Sequence, residues 1–164
     1  MKDYFFERVK RHIKIFIYKL MNIDIAINSN IVLYGVPKIY HKYNVKFGLN
    51  VRINEDVFIN AVGGVYFGNN VTLSHGVSII STTLDTIDWL QNNGEKIISR
   101  KHKSEQIILG NNVWVGANST ILSGTSIASN IIIAAGSIVC SSLLEENCIY
   151  GGVPAKKIKT ISKE

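Results

Sequence analysis

Between Ile107 and Ser142 the chain reads IILGNNVWVGANSTILSGTSIASNIIIAAGSIVCSS, and its aliphatic residues return at every sixth place. Strands repeat at two and helices at 3.6, so neither produces this spacing. Two positions of each hexad can be followed along the chain. They are Ile25 and Ile27, Ile31 and Leu33, then, after two extra residues near Pro37, Ile39 and His41, followed by Val45 and Phe47, Val51 and Ile53, Val57 and Ile59. Gly63-Gly64 shifts the count by two before Val65 and Phe67, Val71 and Leu73, Val77 and Ile79. The pattern resumes at Ile107 and Leu109, Val113 and Val115, Ser119 and Ile121, Thr125 and Ile127, Ile131 and Ile133, Ser137 and Val139, which completes fifteen hexads. One short strand and one turn per hexad, three hexads to a coil, describe an all-β chain: a parallel β-helix of about five coils. At the usual strand spacing of ~4.8 Å the stack is roughly 24 Å tall. Its inner positions pile up along the axis and must be aliphatic, while Gly68-Asn69-Asn70, Gly110-Asn111-Asn112 and Gly116-Ala117-Asn118 take the tight corners. An ordinary sandwich would need alternation and hairpin signals that are absent.

Three segments escape the repeat and set the organisation: an N-terminal amphipathic helical segment (1–23), an extruded loop (84–106) within the β-helix (24–150), and a basic C-terminal tail (151–164). In the first, Phe5, Val9, Ile13, Phe16 and Leu20 step by four or three, as on one face of a helix. That helix is expected to cap one end of the core. The alternative is a helix lying on a membrane surface, its Lys and Arg near anionic lipid. The loop, LDTIDWLQNNGEKIISRKHKSEQ, is of a length that in a compact domain usually serves function.

The formal charge of +6 is concentrated in the first twenty residues, around Lys96 to Lys103, and at Lys156, Lys157 and Lys159. No basic recognition helix or nucleic-acid motif accompanies it, which argues against nucleic acid as partner. Cys140 and Cys148 fit no zinc or redox pair, and with no membrane-spanning run the chain is expected to be cytoplasmic, at most touching the membrane's inner face.

The motifs 110-GNNVWVGANSTIL-122, 133-IAAGSIV-139 and 151-GGVPAKKIK-159, together with the hexads, resemble the hexapeptide-repeat acyltransferases, in the branch of the galactoside, maltose and capsule or O-antigen acetyltransferases. The resemblance runs from about Val45 to Lys159 and implies a left-handed coil. It also implies a homotrimer with its sites in the clefts between neighbouring β-helices, acetyl-CoA as co-substrate, a carbohydrate acceptor, no metal, and a histidine that takes the acceptor's proton as it attacks the thioester. An imidazole has a suitable pKa for that role. By motif, Ala117 and Ala135 match backbone contacts of the pantetheine arm, and Lys156 and Lys159 match basic residues on the CoA phosphates. Ser141 lies near a position for the nucleotide end, although CSSLLEEN replaces the usual Thr-Lys and is one residue longer. Asn60 matches a residue that hydrogen-bonds the acceptor sugar, Trp114 a tryptophan near acceptor and thioester, and Trp89 is a candidate to close over the site.

The sequence departs from this branch where the base is expected, since Leu84 stands there. Of the four histidines, His12 falls in the N-terminal helix and His41 at an inward repeat position. His102, on the extruded loop, is the preferred base, and His75, at a corner of the scaffold, is retained beside it. Asp85 or Asp88 is a candidate to orient the imidazole. The resulting expectation is O-acetylation of a sugar of a surface polysaccharide or its precursor. An amino-sugar N-acetyltransferase and a non-catalytic trimeric scaffold remain as alternatives. A metal hydratase is disfavoured because the histidine spacings offer no ligand pair.

Overall fold

A computed structural model of the chain describes residues 2–21, 30–91 and 100–162. Helix α1 (Lys2–Met21) precedes a parallel β-helix whose first two coils are β1 (Val32–Leu33), β2 (Lys38–Tyr40), β3 (Val45–Phe47), β4 (Arg52–Ile53), β5 (Phe58–Asn60) and β6 (Val65–Phe67). The third coil runs through β7 (Thr72–Leu73) and β8 (Ser78–Ile80), leaves the column as β9 (Thr82–Leu84), α2 (Thr86–Gln91) and β10 (His102–Ser104), and returns at β11 (Ile107–Leu109). Strands β12 (Trp114–Val115), β13 (Thr120–Leu122), β14 (Ser126–Ile127), β15 (Ile131–Ile133), β16 (Ile138–Val139), β17 (Cys148–Gly151) and β18 (Lys156–Thr160) complete it.

The strands stack into three faces. Face 1 is β1-β4-β7-β12-β15-β17-β18, face 2 is β2-β5-β8-β13-β16, and face 3 is β3-β6-β11-β14, extended by an Ile127–Leu143 bridge. All pairs within the column are parallel except β17–β18. Face 1 therefore carries six parallel rungs, and the coil count passes five. The inner hexad positions from Val51 to Val139 are buried in a single core. Phe47 and Phe67 stack in it at 4.9 Å. Where the inner residue is a hydroxyl, its polar atom is satisfied locally: Ser119 Oγ and Ser137 Oγ both donate to Ala134 O, at 2.9 and 2.6 Å, and Thr125 Oγ1 to Leu122 O at 2.8 Å.

Corners are fixed by asparagines in the left-handed region. Asn30, Asn50, Asn70, Asn112 and Asn130 have φ between 47 and 59°. They form a ladder on the 3–1 corner, each side-chain amide donating to the next residue's Oδ1 at 3.0–3.2 Å. Asparagine tolerates this backbone better than other non-glycine residues, and here it also gains a partner.

Three expectations need correction. His41 is not inward: it is exposed, at φ 57°, and caps a single 3-10 turn, Lys42–Asn44. Register places Ile39 over Ile59 with buried Pro37 two residues before it, so the two extra residues fall after Ile39 rather than near Pro37. The segment read as a basic tail contains β18, an antiparallel strand closing face 1. The hexad at Ile25 and Ile27 lies outside the described residues.

Helix α1 does not turn its apolar side to the column. Phe6, Val9, Ile13, Phe16, Ile17 and Leu20 are 40–68% exposed. The opposite side, with Arg8, Arg11 and Lys14, faces a cavity of about 450 Å³ against Gly35, Val36, Glu55 and Asp56, and Arg11 Nη1 donates to Glu55 Oε1 at 3.1 Å. Among the described residues no helix is long and apolar enough to cross a membrane.

Candidate active site at two corners of the column

The chain leaves the column after Ser81, at the 2–3 corner. Ser81 Oγ donates to Asn60 O and accepts from the Gly63 N–H, both at 2.9 Å. Gly63 is required by close approach, since a Cβ there would stand 2.5 Å from Ser81 O and 2.7 Å from Glu105 N. The departing and returning segments then pair antiparallel, with Thr82 facing Ser104, Thr83 facing Lys103 and Leu84 facing His102. The Asp85 N–H donates to Lys101 O at 2.8 Å, which makes Asp85–Lys101 the hydrogen-bonded kind of pair. Leu84–His102, next along, is the non-hydrogen-bonded kind, with Cα atoms about 4.5 Å apart and side chains on the same side. The next pair of that kind, Thr82–Ser104, behaves accordingly, Ser104 Oγ donating to Thr82 Oγ1 at 2.8 Å.

Asp85 is the N-cap of α2. Its Oδ1 accepts from the N–H groups of Ile87 (2.9 Å) and Asp88 (3.2 Å), and its Oδ2 lies 4.0 Å from Lys101 Nζ. The Asp88 N–H above all, then the Ile87 N–H and the charges of Lys101 and Lys103, hold its carboxyl below the usual aspartate range. Asp88 Oδ2 accepts from the Lys101 N–H at 3.1 Å. Both carboxylates thus tie α2 to the hairpin. Trp89 of α2 lies under the Arg100 guanidinium, 4.5 Å from ring centroid to Cζ.

Asn60 ends β5, in register with Tyr40 and Ile80. Its Oδ1 is buried with no hydrogen-bond partner among the described residues. It shares the 2–3 corner with the hairpin, one coil earlier, and Ser141 is exposed at the same corner after β16.

The other expected residues gather elsewhere, on face 1 and the 1–2 corner. Trp114 projects from β12, 51% exposed, and its Nε1 donates to Ser74 Oγ at 2.9 Å. His75 follows Ser74, exposed, with Nδ1 3.8 Å from Asp56 Oδ2 one coil away. Ala117 and Ala135 turn the same corner on the next two coils, where Ala117 O accepts from the Gly136 N–H at 2.8 Å. In β18 a bulge opposite Ile149 and Tyr150 lets Lys156 pair with Gly151 and Lys159 with Ile149, both outward positions. Lys157 pairs with the inward Tyr150 and makes an ion pair with Glu145. Lys156 and Lys159 therefore share the outer surface of face 1, and Lys157 does not.

The structure brings together His102, Leu84 and Asn60 at one corner, and His75, Trp114, Ala117 and Ala135 at another. Roughly 10 Å of strand on face 2 separates the two groups. Sequence reasoning missed Arg100, whose only signal was the basic run 100-RKHK-103. Among the described residues no group of three His, Cys, Asp or Glu is placed to hold a metal ion.

No family model matches the chain. It is 33% identical over 128 residues to the galactoside O-acetyltransferase of Escherichia coli K12, an alignment spanning 77% of this chain and 60% of that protein. It is 31% identical over 121 residues to a putative lipopolysaccharide biosynthesis O-acetyl transferase, WbbJ, of the same organism, spanning 72% of this chain and 61% of the relative. A solved galactoside acetyltransferase in complex with coenzyme A superposes with a TM-score of 0.65 at 26% identity, covering 80% of this chain and 64% of that one. The chain thus spans about 60% of the length of the curated relatives it matches.

Proposed function

Because the chain belongs to the hexapeptide-repeat acyltransferases, in the branch of the galactoside and capsule O-acetyltransferases, we propose that it transfers an acetyl group from acetyl-CoA to a sugar hydroxyl of a surface polysaccharide or its precursor. The observation that carries the reading is the hairpin register. The branch's base is expected where Leu84 stands, and the residue facing Leu84 is His102. In this mechanism the His102 imidazole takes the hydroxyl proton as the oxygen attacks the thioester carbonyl. The tetrahedral adduct collapses with loss of the CoA thiolate, which receives the proton from the imidazolium. Asn60 Oδ1, buried and unpartnered, accepts a hydrogen bond from another hydroxyl of the acceptor. Trp114 offers a flat apolar surface to sugar or pantetheine. Backbone groups of Ala117 and Ala135 line the pantetheine arm, Lys156 and Lys159 meet the phosphates, and Ser141 lies toward the nucleotide end.

These residues lie at two corners of one column, so a complete site is assembled between the 2–3 corner of one copy and the 1–2 corner of its neighbour, in a trimer. In that arrangement His75 enters the groove from the neighbouring copy. The test is release of free CoA from acetyl-CoA with candidate glycosides and amino sugars, for the wild type, His102→Ala and His75→Ala, with mass measured by light scattering. Loss of turnover on His102→Ala alone supports the assignment. Turnover indifferent to both changes, or a monomer with full activity, removes it.

The exposed apolar side of α1, on a helix rich in Lys and Arg, further supports contact with an anionic membrane surface. Sedimentation with anionic but not neutral vesicles, lost on Phe16→Glu, is the expected result. Loss of the trimer on Phe16→Glu would instead assign that side to a neighbouring copy.

A further inference from the structure

We infer that Arg100 is an anion-binding group of the acceptor site, and that the acceptor is an acidic sugar compound whose carboxylate or linked phosphate pairs with this guanidinium. The inference rests on the acyl-transfer reading above and narrows its substrate class. Among the described residues, Nε and Nη1 of Arg100 are buried with no hydrogen-bond partner. A guanidinium stays charged at any working pH and can only donate. Withdrawing its donors from water without an acceptor is costly, and such an exception calls for an explanation in a missing partner.

The charged groups described around Arg100 are engaged elsewhere, and Asp88 Oδ2 accepts from the Lys101 N–H. The neighbouring lysines are occupied: Lys101 Nζ lies 4.0 Å from Asp85 Oδ2, and Lys103 Nζ 2.8 Å from Glu105 Oε1. Asp85 spends its other oxygen on the α2 cap. The plane of Arg100 is held by Trp89, 4.5 Å away, so its unpartnered Nε and Nη1 are also oriented.

Its location then assigns the anion to the acceptor. Arg100 lies two residues before His102, just ahead of β10, and Lys101 between them is held to the departing segment by the Asp85 N–H to Lys101 O bond. Two residues of chain span at most about 7 Å. That is room for one sugar whose hydroxyl meets the imidazole while its acidic group meets the guanidinium. The phosphates of CoA are not the anion in question, because Lys156 and Lys159 lie on β18, the last strand of face 1, four strand spacings on from the third coil and about 19 Å along the axis.

The test uses the full-length protein with acetyl-CoA and three acceptors: a neutral glucoside, the matching glucuronide, and a UDP-linked sugar. Wild type is expected to prefer a charged acceptor. The preferred one distinguishes carboxylate from phosphate. Arg100→Ala should raise KM for that acceptor by roughly 10- to 100-fold, the effect of one charged hydrogen bond, and leave KM for acetyl-CoA and for the neutral glucoside unchanged. Arg100→Lys should fall between. Unchanged selectivity in Arg100→Ala, or an equal loss on neutral and charged acceptors, overturns the inference, the latter meaning that Arg100 only supports the hairpin or a neighbouring copy. Calorimetric titration of both proteins with glucuronate and with inorganic phosphate decides the point without turnover. If no acceptor is acetylated, the acyl-transfer reading falls, while wild-type binding lost in Arg100→Ala still establishes the anion site and binding equal in the two proteins ends it.

Discussion

The facing of Leu84 and His102 allows the proposed base to be moved across the hairpin. His102→Leu should lower kcat by about 10²- to 10⁴-fold, the range a positioned general base contributes, with KM for both substrates nearly unchanged. That corresponds to about 3–5 kcal/mol of transition-state stabilisation. Adding Leu84→His puts an imidazole on the partner strand at a non-hydrogen-bonded facing position, its Cα about 4.5 Å and its Cβ about 5 Å from the original root. Rotation about χ1 and χ2 can cover part of that displacement. Since an error near 1 Å already costs about 10² in rate, the double variant should recover at least tenfold over His102→Leu yet remain below wild type. CoA thiol release reads both rates. Both side chains are on an exposed hairpin outside the core, so stability should shift by no more than about 0.5 kcal/mol. A His102→Leu protein with wild-type kcat would refute the assignment of the base. A double variant as slow as the single one would refute the argument from register.

Asn70→Ala removes a left-handed residue (φ 57°) and a rung of the amide ladder, and should cost about 2–3 kcal/mol in urea denaturation. Lys156→Ala and Lys159→Ala should each raise KM for acetyl-CoA several-fold with kcat kept, whereas Lys157→Ala, on the inward side with Glu145, should leave that KM unchanged. Asp85 has a depressed folded-state pKa, so the α2 cap is fully present above the ordinary aspartate range and is lost as pH falls through that lower value. Amide exchange of residues 86–91 should accelerate only in that acid window, and Asp85→Asn should remove most of the pH dependence.

The column was legible because stacking demands the same residue type at the same place on every rung, and Val71, Leu73, Val77 and Ile79 have no other environment to satisfy. Slips occurred where a corner grew. Pro37 reads as a turn residue, yet it occupies an inner position of the first coil, while His41 completes a hexad on paper and sits outside at positive φ. The hairpin was visible only as an interruption. Nothing in its composition fixes which of its residues face each other, because that register depends on Gly63 admitting the returning strand and on the Asp85 cap. The side presented by α1 was equally hidden. An amphipathic pattern says that two sides differ, not which one meets the column, and here Arg11 finds Glu55 while the apolar side is left uncovered.

The three insertions of the first three coils lie along a single edge. The first coil swells at Lys42–Asn44, the second at Gly63-Gly64, and the third releases the whole of 82–106, all between faces 2 and 3. The 1–2 edge keeps its register from rung to rung, and the 3–1 edge does so until one extra residue enters between Leu143 and Cys148. Such a molecule behaves like a spine with one open seam: length can be added or exchanged there without renegotiating the packed interior, so under the proposed acyl transfer new acceptor preferences can arise by local grafting, and a seam shortened to a bare turn would be expected to leave an inert but intact spine.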